Sequence, residues 1–433
     1  MQKLTGRVWA SFLVIGLIGQ FAWTIENMYF NVFLYNTIST DPDYIAVMVA
    51  ASAIVATLTT LLVGALSDRL GRRKIFLVAG NLLWGASLLA FGFVRIDLIA
   101  GLFPYANAVA TAAILVVILD CVMTFFGSSS NDAGFNAYVT DTTNTENRGR
   151  AESVLSILPL ISMLIIFGLF DPLTRSGQWQ LFFTIFGVAV SVSGILAIFL
   201  IKETRRPPVS TPFLHDILYG FSPSVIRANK PLYITLCTFC LFSVSVQVFM
   251  PYFIIYMQNY LGFDNYAIVL GIVLLTASVA SVIAGRFIDR IGKLRFLLPA
   301  AAVMFAGLIA LYFTRTFVPV ILAGIVMMSG YMIVTATLSA MIRDNTPVEK
   351  AGHFQGIRMV FAVLLPMVIG PAIGSWAIKN SDSTYIDLGV TKHVPTPSIF
   401  LVSGLVLLMI LIPMWFMRRR PQEESAPPSS SQS

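Results

Sequence analysis

Long apolar stretches alternate with short polar segments along almost the whole chain. Most of these stretches hold the roughly 20 mainly apolar residues that a helix needs to cross the hydrocarbon core of a bilayer. The pattern predicts twelve spanning helices, which we place at residues 8–36, 44–66, 75–94, 107–138, 149–170, 178–201, 231–258, 265–287, 296–314, 317–342, 354–378 and 397–417. Residues 95–106 fit either a loop or a short re-entrant helix, and the fourth span ends at Tyr138 or nearer Phe126.

The composition agrees with a membrane protein. Of the 433 residues, 57% are hydrophobic and 11% are charged, whereas average soluble proteins carry about 25% charged residues. A soluble fold of this size could not bury so much apolar surface, but a lipid bilayer is itself an apolar solvent. The cysteines Cys121, Cys237 and Cys240 all lie in apolar stretches, so no structural disulfide is expected. The first apolar stretch is too long for a cleavable signal peptide.

The distribution of charge predicts the orientation. The net charge is +7, but the basic residues form short clusters between apolar stretches, as the positive-inside rule describes. If both termini are cytoplasmic, the inner segments contain every Lys and Arg except Arg95, Arg175, Arg315, Lys379 and Lys392. We therefore expect a multi-pass protein of the cell (plasma) membrane, a bacterial cytoplasmic membrane, with the lipid bilayer and no nucleic acid as partner.

The longest inner segment divides the chain. It separates an N-terminal six-helix bundle, residues 1–201, from a C-terminal one, residues 231–418. The linker, residues 202–230, contains an apolar stripe at helical spacing and is expected to include an interfacial helix that Thr211 caps. Residues 419–433 are rich in Pro, Ser, Glu and Gln and are expected to form a disordered cytoplasmic tail.

Two loop motifs recur in matching places of the two halves. The sequence G-A-L-S-D-R-L-G-R-R-K, residues 64–74, follows the second span, and G-R-F-I-D-R-I-G-K-L-R, residues 285–295, follows the eighth. After the fourth and tenth spans, D-T-T-N-T-E-N-R-G and D-N-T-P-V-E-K-A-G share Asp, Glu and Gly at identical spacing. Such repeats indicate duplicated halves, which are known in transporters.

The G-x3-D-R-x-G-R-[RK] loop after the second span resembles the signature of the major facilitator superfamily. The resemblance implies an all-α membrane protein of two pseudo-symmetric six-helix bundles around a central cavity that opens alternately to each side. In that family the motif aspartate helps to latch the inner gate, and the loops after the fourth and tenth spans are expected to latch in a similar way. The resemblance thus implies gating roles for Gly64, Asp68, Arg69, Gly71, Arg72, Asp141, Arg148, Gly285, Asp289, Arg290 and Asp344.

A narrower resemblance concerns the first and fourth spans. G-Q-F-A-W-T-I-E, residues 19–26, and N-A-Y-V-T-D, residues 136–141, are similar to the glycoside–pentoside–hexuronide cation symporters and the related sucrose-type carriers. Those families carry sugars with a proton or a sodium ion. The melibiose-permease group has paired acidic residues in its second span and a lysine in its eleventh. This chain has no acidic residue in its second span, between Asp43 and Asp68, and no lysine in its eleventh span before Lys379. Their absence favours a proton over sodium as the coupling ion.

Two acidic residues lie deep in predicted spans, Glu26 in the first and Asp120 in the fourth. A charge at mid-membrane costs at least about 2.5–3.5 kcal/mol, and no Lys or Arg lies at that depth to neutralise either one. A lone buried carboxylate tends to take up a proton, which suits proton coupling as well as hydrogen bonding to sugar hydroxyls. We therefore predict proton coupling by Glu26 and Asp120, and substrate binding by Gln20, Trp23, Glu26, Asn27, Asp120, Gln247, Tyr252 and Tyr331.

Taken together, these features predict a cation-coupled symporter of a sugar or glycoside that uses a small-molecule substrate, no cofactor and no metal, and works as a monomer. A proton-coupled exporter of drugs or metabolites with the same fold is the alternative, although its G-P-x-x-G motif is missing from the fifth span. A receptor or membrane enzyme is a third alternative. No G-x4-G-K-[ST] or H-E-x-x-H motif is present, so neither an ATP-driven pump nor an enzyme is expected.

Overall fold

The architecture is that of a computed structural model. It describes residues 4–70, 72–143, 147, 151, 154–201, 220–346, 354–381, 384–387 and 390–418, although not the side chains of 68, 285–291, 355, 384–387, 390–392 and 418. The described residues include twelve helices long and apolar enough to cross a membrane, which we call spans 1 to 12: Gly6–Thr37, Pro42–Ser67, Arg73–Phe91, Ala108–Thr142, Leu158–Arg175, Trp179–Leu200, Lys230–Tyr260, Tyr266–Ala284, Lys293–Phe313, Phe317–Asn345, Gly356–Lys379 and Ser398–Met417.

The all-helical prediction is thus confirmed, and the structure settles the two ambiguous places. Residues 95–106 contain a short helix, Ile96–Leu102, outside the spans. Span 4 continues past both Phe126 and Tyr138 and ends at Thr142. It begins where the side chain of Asn107 accepts hydrogen bonds from the amides of Val109 and Ala110, both at 3.1 Å, because the first amides of a helix have no partner within it.

Several spans are interrupted by wider or tighter turns. Span 7 tightens to a 3-10 turn at Met250–Tyr252, where Pro251 cannot donate a backbone hydrogen bond. Wider π-helical turns occur in spans 1, 4, 5, 7 and 11, at Ile25–Tyr29, Ser128–Phe135, Ile166–Phe170, Tyr256–Tyr260 and Val360–Leu364. Such turns change the direction of the side chains that follow and often occur at functional sites.

Few described elements lie outside the spans. The strands Thr384–Asp387 and Val390–His393 form an antiparallel hairpin between spans 11 and 12, which the all-α prediction did not anticipate. A short helix, Pro223–Ala228, leads into span 7. The predicted interfacial helix after Thr211 and the predicted tail fall outside the described residues.

Twelve crossings place both ends of the chain on the same side of the molecule. We call that side, with the connection between spans 6 and 7, the terminal face, and the opposite side the loop face. Spans 1–6 form the first half and spans 7–12 the second. Large apolar side chains remain exposed on the outer surface, and along span 2 they form a stripe at Leu58, Leu62, Leu66 and Leu70. A stripe of this kind suits contact with lipid.

The backbones of spans 9 and 10 approach each other at two glycines. A Cβ atom added to Gly307 would lie 2.3 Å from the backbone nitrogen of Met327, and one added to Gly330 would lie 2.4 Å from that of Met304. No side chain can occupy either position without separating the two spans. Small residues at helix interfaces allow van der Waals packing in a membrane, where lipid provides no hydrophobic drive for association.

We expect Gly307→Ala to destabilise the protein by about 1–3 kcal/mol, the range typical of overpacked cores. The added methyl group would meet the backbone of span 10, which cannot move aside as a flexible side chain could. Thermal unfolding in detergent measures the effect. Gly168→Ala is the matched control, because no atom lies within 4 Å of its added Cβ, and an equal loss in both variants would contradict the close approach as the cause.

Candidate functional site

A cavity of about 450 Å³ lies between the two halves. Spans 1, 2 and 4 of the first half form one wall, and span 11 of the second half forms the other. It is lined by Gln20, Trp23, Glu26, Asn27, Ser52, Ala53, Ala56, Thr60, Asn131, Asp132, Asn136, Met359, Val363 and Met367. In spans 4 and 11 these residues run from the middle of the span toward the terminal face, so the cavity extends in that direction.

Span 1 brings four of the predicted substrate residues together. Gln20, Trp23, Glu26 and Asn27 all line the cavity. Spacing of three and four residues places them on neighbouring turns of one helix face, and the π-helical turn at Ile25–Tyr29 begins within this group. The amide of Asn27 donates to the carbonyl of Trp23 at 2.8 Å, so its oxygen remains available to a ligand. The Trp23 ring packs on Trp84, with a centroid distance of 5.2 Å.

Glu26 and Asp120 form a buried acidic pair, exposed by 8% and 1% respectively. One oxygen of Glu26 accepts a hydrogen bond from Thr124 in span 4 at 2.8 Å, and Ser52 of span 2 faces the Asp120 carboxyl group. The second oxygen of Glu26 and Oδ1 of Asp120 have no hydrogen-bond partner among the described residues. The two groups are close enough to interact electrostatically, so both cannot carry a charge without strong repulsion.

The π-helical turn of span 4 adds polar side chains that the sequence analysis did not select as site residues. Asn131, Asp132 and Asn136 line the cavity on the terminal-face side of Glu26. The amide of Asn131 lies 3.4 Å from Oδ1 of Asp132, and that of Asn136 donates to the Asp132 carbonyl at 3.2 Å. The signal in the sequence was the polar run S-S-S-N-D within an apolar span. None of the described residues that line the cavity is a Lys, Arg or His.

Of the other predicted substrate residues, Asp120 of span 4 is not among those that line the cavity, and Gln247, Tyr252 and Tyr331 lie in the second half. Gln247 packs against Gly370 of span 11, and the ring of Tyr331 stacks on Phe242 with centroids 5.8 Å apart. Tyr252 is fully buried, and its hydroxyl donates to the carbonyl oxygens of Pro371 at 2.9 Å and Pro42 at 3.2 Å. The structure therefore places Tyr252 at the contact between the halves and not among the residues that line the cavity.

Polar contacts join the halves at the loop face. Lys379, at the end of span 11, pairs with Asp41 at 2.9 Å and also with Asp43 at the start of span 2. The hydroxyl of Ser375, one turn before Lys379, donates to Asp43. Asn36 donates to Gln258 at 3.3 Å. These contacts hold span 2 against span 11 and span 1 against span 7, and they lie beyond the cavity on the loop-face side.

Asp171 is the centre of a second, buried contact at the same face. It lies near the end of span 5 and is 0% exposed. Its carboxylate pairs with Arg175 at 2.8 Å and accepts hydrogen bonds from Tyr29 of span 1 at 3.0 Å and from Tyr266 of span 8. Arg175 also donates to the carbonyl of Asp264 in the second half. The hydropathy pattern predicts that span 5 ends at residue 170, one position before Asp171, and therefore does not identify this buried acid.

At the terminal face, the repeated loop motifs make equivalent contacts within each half. Asp141, at the end of span 4, pairs with Arg73 at the start of span 3 at 3.4 Å. Asp344, at the end of span 10, pairs with Lys293 at the start of span 9. Arg69 and Arg72 are exposed, and Gly64 packs near Ala133. The structure does not describe the side chains of Asp68, Gly285, Asp289 and Arg290, and Gly71 and Arg148 fall outside the described residues.

The sequence matches the family named Major Facilitator Superfamily over residues 12–371, and a second match covers residues 265–432. The chain belongs to the Major Facilitator Superfamily. The expected family is thereby confirmed, together with its fold, and the chain is a membrane transporter and not an enzyme. No curated protein matches the sequence closely enough to refine this assignment.

Solved structures of superfamily transporters superimpose on nearly the whole chain. The nucleoside transporter NupG, as a D323A mutant, aligns with a TM-score of 0.72 at 11% identity, covering 95% of this chain and 99% of NupG. The xylose transporter XylE from E. coli, in a partially occluded inward open conformation, aligns with a TM-score of 0.69 at 14% identity, covering 98% of this chain and 100% of XylE. At sequence identities this low, the superpositions show a common fold and no more.

We expect Tyr266→Phe to favour separation of the halves at the loop face, because it removes the hydroxyl that links span 8 to Asp171. A hydrogen bond to a charged group contributes about 1.5–3 kcal/mol, so the open population should rise about tenfold or more. Tyr29→Phe is the matched control, since its hydroxyl reaches the same carboxylate from within the first half.

Spin-label distances between positions 105 and 318, both exposed at the loop face, measure this change in a background without Cys121, Cys237 and Cys240. Longer distances in Tyr266→Phe alone would support the contact as a lock. The same distance distribution in both variants would show that the hydroxyl of Tyr266 does not hold the halves together.

Proposed function

We propose that this transporter is a proton-coupled symporter of a sugar or glycoside. The observation that carries the proposal is the acidic pair Glu26 and Asp120, which is buried beside a cavity lined by amides and an indole. Amide groups both donate and accept hydrogen bonds, so Gln20 and Asn27 suit sugar hydroxyls. The ring of Trp23 suits the C–H face of a sugar.

Proton binding follows from the cost of burying charge. Two neighbouring carboxylates away from water are unfavourable unless a cation pairs with them or a proton neutralises one of them. The described residues that line the cavity provide no basic side chain, so a proton is the simplest counter-charge. Binding of one proton leaves a single charge on the pair, and the oxygens of Glu26 and Asp120 that lack a partner are the positions available to that proton.

Alternating access provides the transport cycle in this proposal. The loop-face contacts close one end of the path between the halves, and the cavity extends toward the terminal face. With the termini in the cytoplasm, as the distribution of Lys and Arg predicts, this is an inward-facing state in a cytoplasmic membrane. Sugar and proton would leave together on this side, and breaking the loop-face contacts would expose the cavity to the outside.

The fold neighbours support a hydroxylated cargo. NupG carries nucleosides and XylE carries xylose, and both cargoes contain a pentose. The sequence resemblance to glycoside–pentoside–hexuronide symporters points to the same class of substrate. A pair of carboxylates can also bind sodium, so the identity of the coupling ion is tested separately from that of the cargo.

Export of a lipophilic cation is the second candidate. The observation that favours it is the combination of buried acids on one wall with an apolar wall at Met359, Val363 and Met367. A cation could pair with Glu26 while its apolar body contacts span 11. The four amides that line the cavity weigh against this candidate, since a lipophilic cation would leave them without partners.

Purified protein in proteoliposomes tests the proposal. A pH-sensitive dye inside the vesicles should report proton entry when a sugar or glycoside is added outside, whereas a sodium gradient alone should drive no uptake. Glu26→Gln and Asp120→Asn should each reduce sugar-driven proton entry to the level of empty vesicles, because neither amide can bind the coupled proton. Asp120→Asn should retain exchange of sugar for sugar, which requires no net proton release. Asp97→Asn is the control, since Asp97 is an exposed acid of the loop face.

Full proton coupling in both acidic variants would contradict the assigned proton site. Sugar uptake driven by a sodium gradient in the absence of a pH gradient would show that the coupling ion is sodium and not a proton. Proton exchange against lipophilic cations, without movement of any sugar, would establish the exporter instead.

A further inference from the structure

The two walls of the cavity differ in chemistry. The first half contributes amides, carboxyl groups and hydroxyls from spans 1, 2 and 4, together with one indole. Span 11 contributes only apolar side chains to the described lining, those of Met359, Val363 and Met367. Polar groups that could bind hydroxyls are therefore confined to one half of the protein.

The apolar wall is built by the local geometry of span 11. Its three lining residues are spaced four apart, and in a regular α-helix each such step rotates the side chain by about 40°. Met359 and Met367 would then point in clearly different directions. The π-helical turn at Val360–Leu364 lies between them, and its wider turn counteracts this rotation. Met359, Val363 and Met367 consequently share one face toward the cavity.

A cargo that contacts both walls can favour one conformation, because its contacts change when the two halves move relative to each other. A ligand shifts an equilibrium only by the difference between its affinities for the two states. A free sugar bound by spans 1, 2 and 4 would satisfy its hydroxyls on the first half and would offer span 11 only the small apolar surface of its C–H groups. A cargo with an apolar part opposite its hydroxyls would contact both walls. Span 11 also bears Ser375 and Lys379, so contact with it reaches the helix that closes the loop face.

We propose that the preferred cargo is a neutral sugar with a bulky apolar substituent at its anomeric carbon, a glycoside of an aryl alcohol or of an alkyl alcohol much larger than methanol. The sugar ring binds among Gln20, Glu26 and the asparagines of span 4, and the substituent lies against the methionines of span 11. Methionine suits this role because its flexible, polarisable side chain adapts to apolar groups of different shape. The volume of about 450 Å³ lies within the range of about 300–1,000 Å³ typical of ligand sites. This inference rests on the proposed sugar transport and narrows its substrate.

Matched pairs of substrates test the inference in proteoliposomes. Methyl and phenyl glycosides of the same hexoses and pentoses differ only in the substituent, and nucleosides add a polar aromatic one. Wild-type protein should transport the phenyl glycoside of at least one sugar with a KM about tenfold or more below that of its methyl glycoside, since hydrophobic pockets discriminate on this scale. Equal KM values within every pair would overturn the inference while leaving sugar symport in place.

Variants of span 11 separate recognition from folding. Met367→Gln should raise the KM for the phenyl glycoside several-fold more than that for the methyl glycoside, whereas Met367→Leu should keep the ratio of the two KM values because it preserves the apolar wall. Val363→Thr, which keeps the shape of the side chain, provides the same test if Met367→Gln fails to fold. An equal change for both glycosides would overturn the inference, because it would show a general effect on the helix.

Two further outcomes bear on proton-coupled sugar transport itself. If the protein prefers nucleosides over every phenyl glycoside, the substituent of the cargo is not apolar, and this inference is overturned. Contact of the cargo with both walls would still stand. If no sugar derivative moves with protons, both the proposed symport and this inference fail. Transport of lipophilic cations in that case identifies the exporter.

Discussion

The contacts that tie the two halves together at the loop face close one end of the path between the halves. Lys379 joins span 11 to Asp41 and Asp43 of the first half, and Asp171 joins span 5 to Tyr266 of the second. They differ in environment, because Asp43 and Lys379 are partly exposed to solvent whereas Asp171 is fully buried. Exposed ion pairs contribute little and weaken with salt, so the buried Asp171 network is the stronger tie. The cavity extends toward the terminal face because these contacts close the opposite end.

The acidic pair and the loop-face lock lie close together on the same helices. Span 1 bears Glu26 at the cavity and Tyr29, less than one turn later, on Asp171. Span 2 begins with Asp43 at the lock and passes Ser52, which faces Asp120. A change of charge or contact in the cavity therefore acts on the helices that make the lock. This arrangement gives a physical route by which proton and cargo could bias the conformation, without any connection beyond the helices themselves.

Sequence patterns were informative where the physics is local to a segment. Length and hydropathy alone predict a spanning helix, and the twelve spans lie within a few residues of their predicted positions except at the two ends of span 5. The repeated motifs identified the ends of spans 4 and 10, where Asp141 and Asp344 each pair with a basic residue at the start of the preceding span of the same half. Spacing along span 1 also grouped Gln20, Trp23, Glu26 and Asn27, since neighbours on one helix face are fixed by helical geometry.

Contacts between distant segments could not be obtained in this way. The sequence shows that Glu26 and Asp120 are deep and without a basic neighbour, but their proximity depends on how span 1 packs on span 4. In the sequence, nothing distinguishes Asp171 and Lys379 from other charged residues at the ends of spans. Tyr252 is predicted to line the cavity, but its hydroxyl donates a hydrogen bond to the backbone carbonyl of Pro42 in the other half. Hydropathy is a property of one segment, and it determined the number and length of the spans. The cavity and its lock arise from pairs of residues distant in the sequence, by 89 positions in one contact of the lock and by 336 in another, which only the packing of the spans brings together.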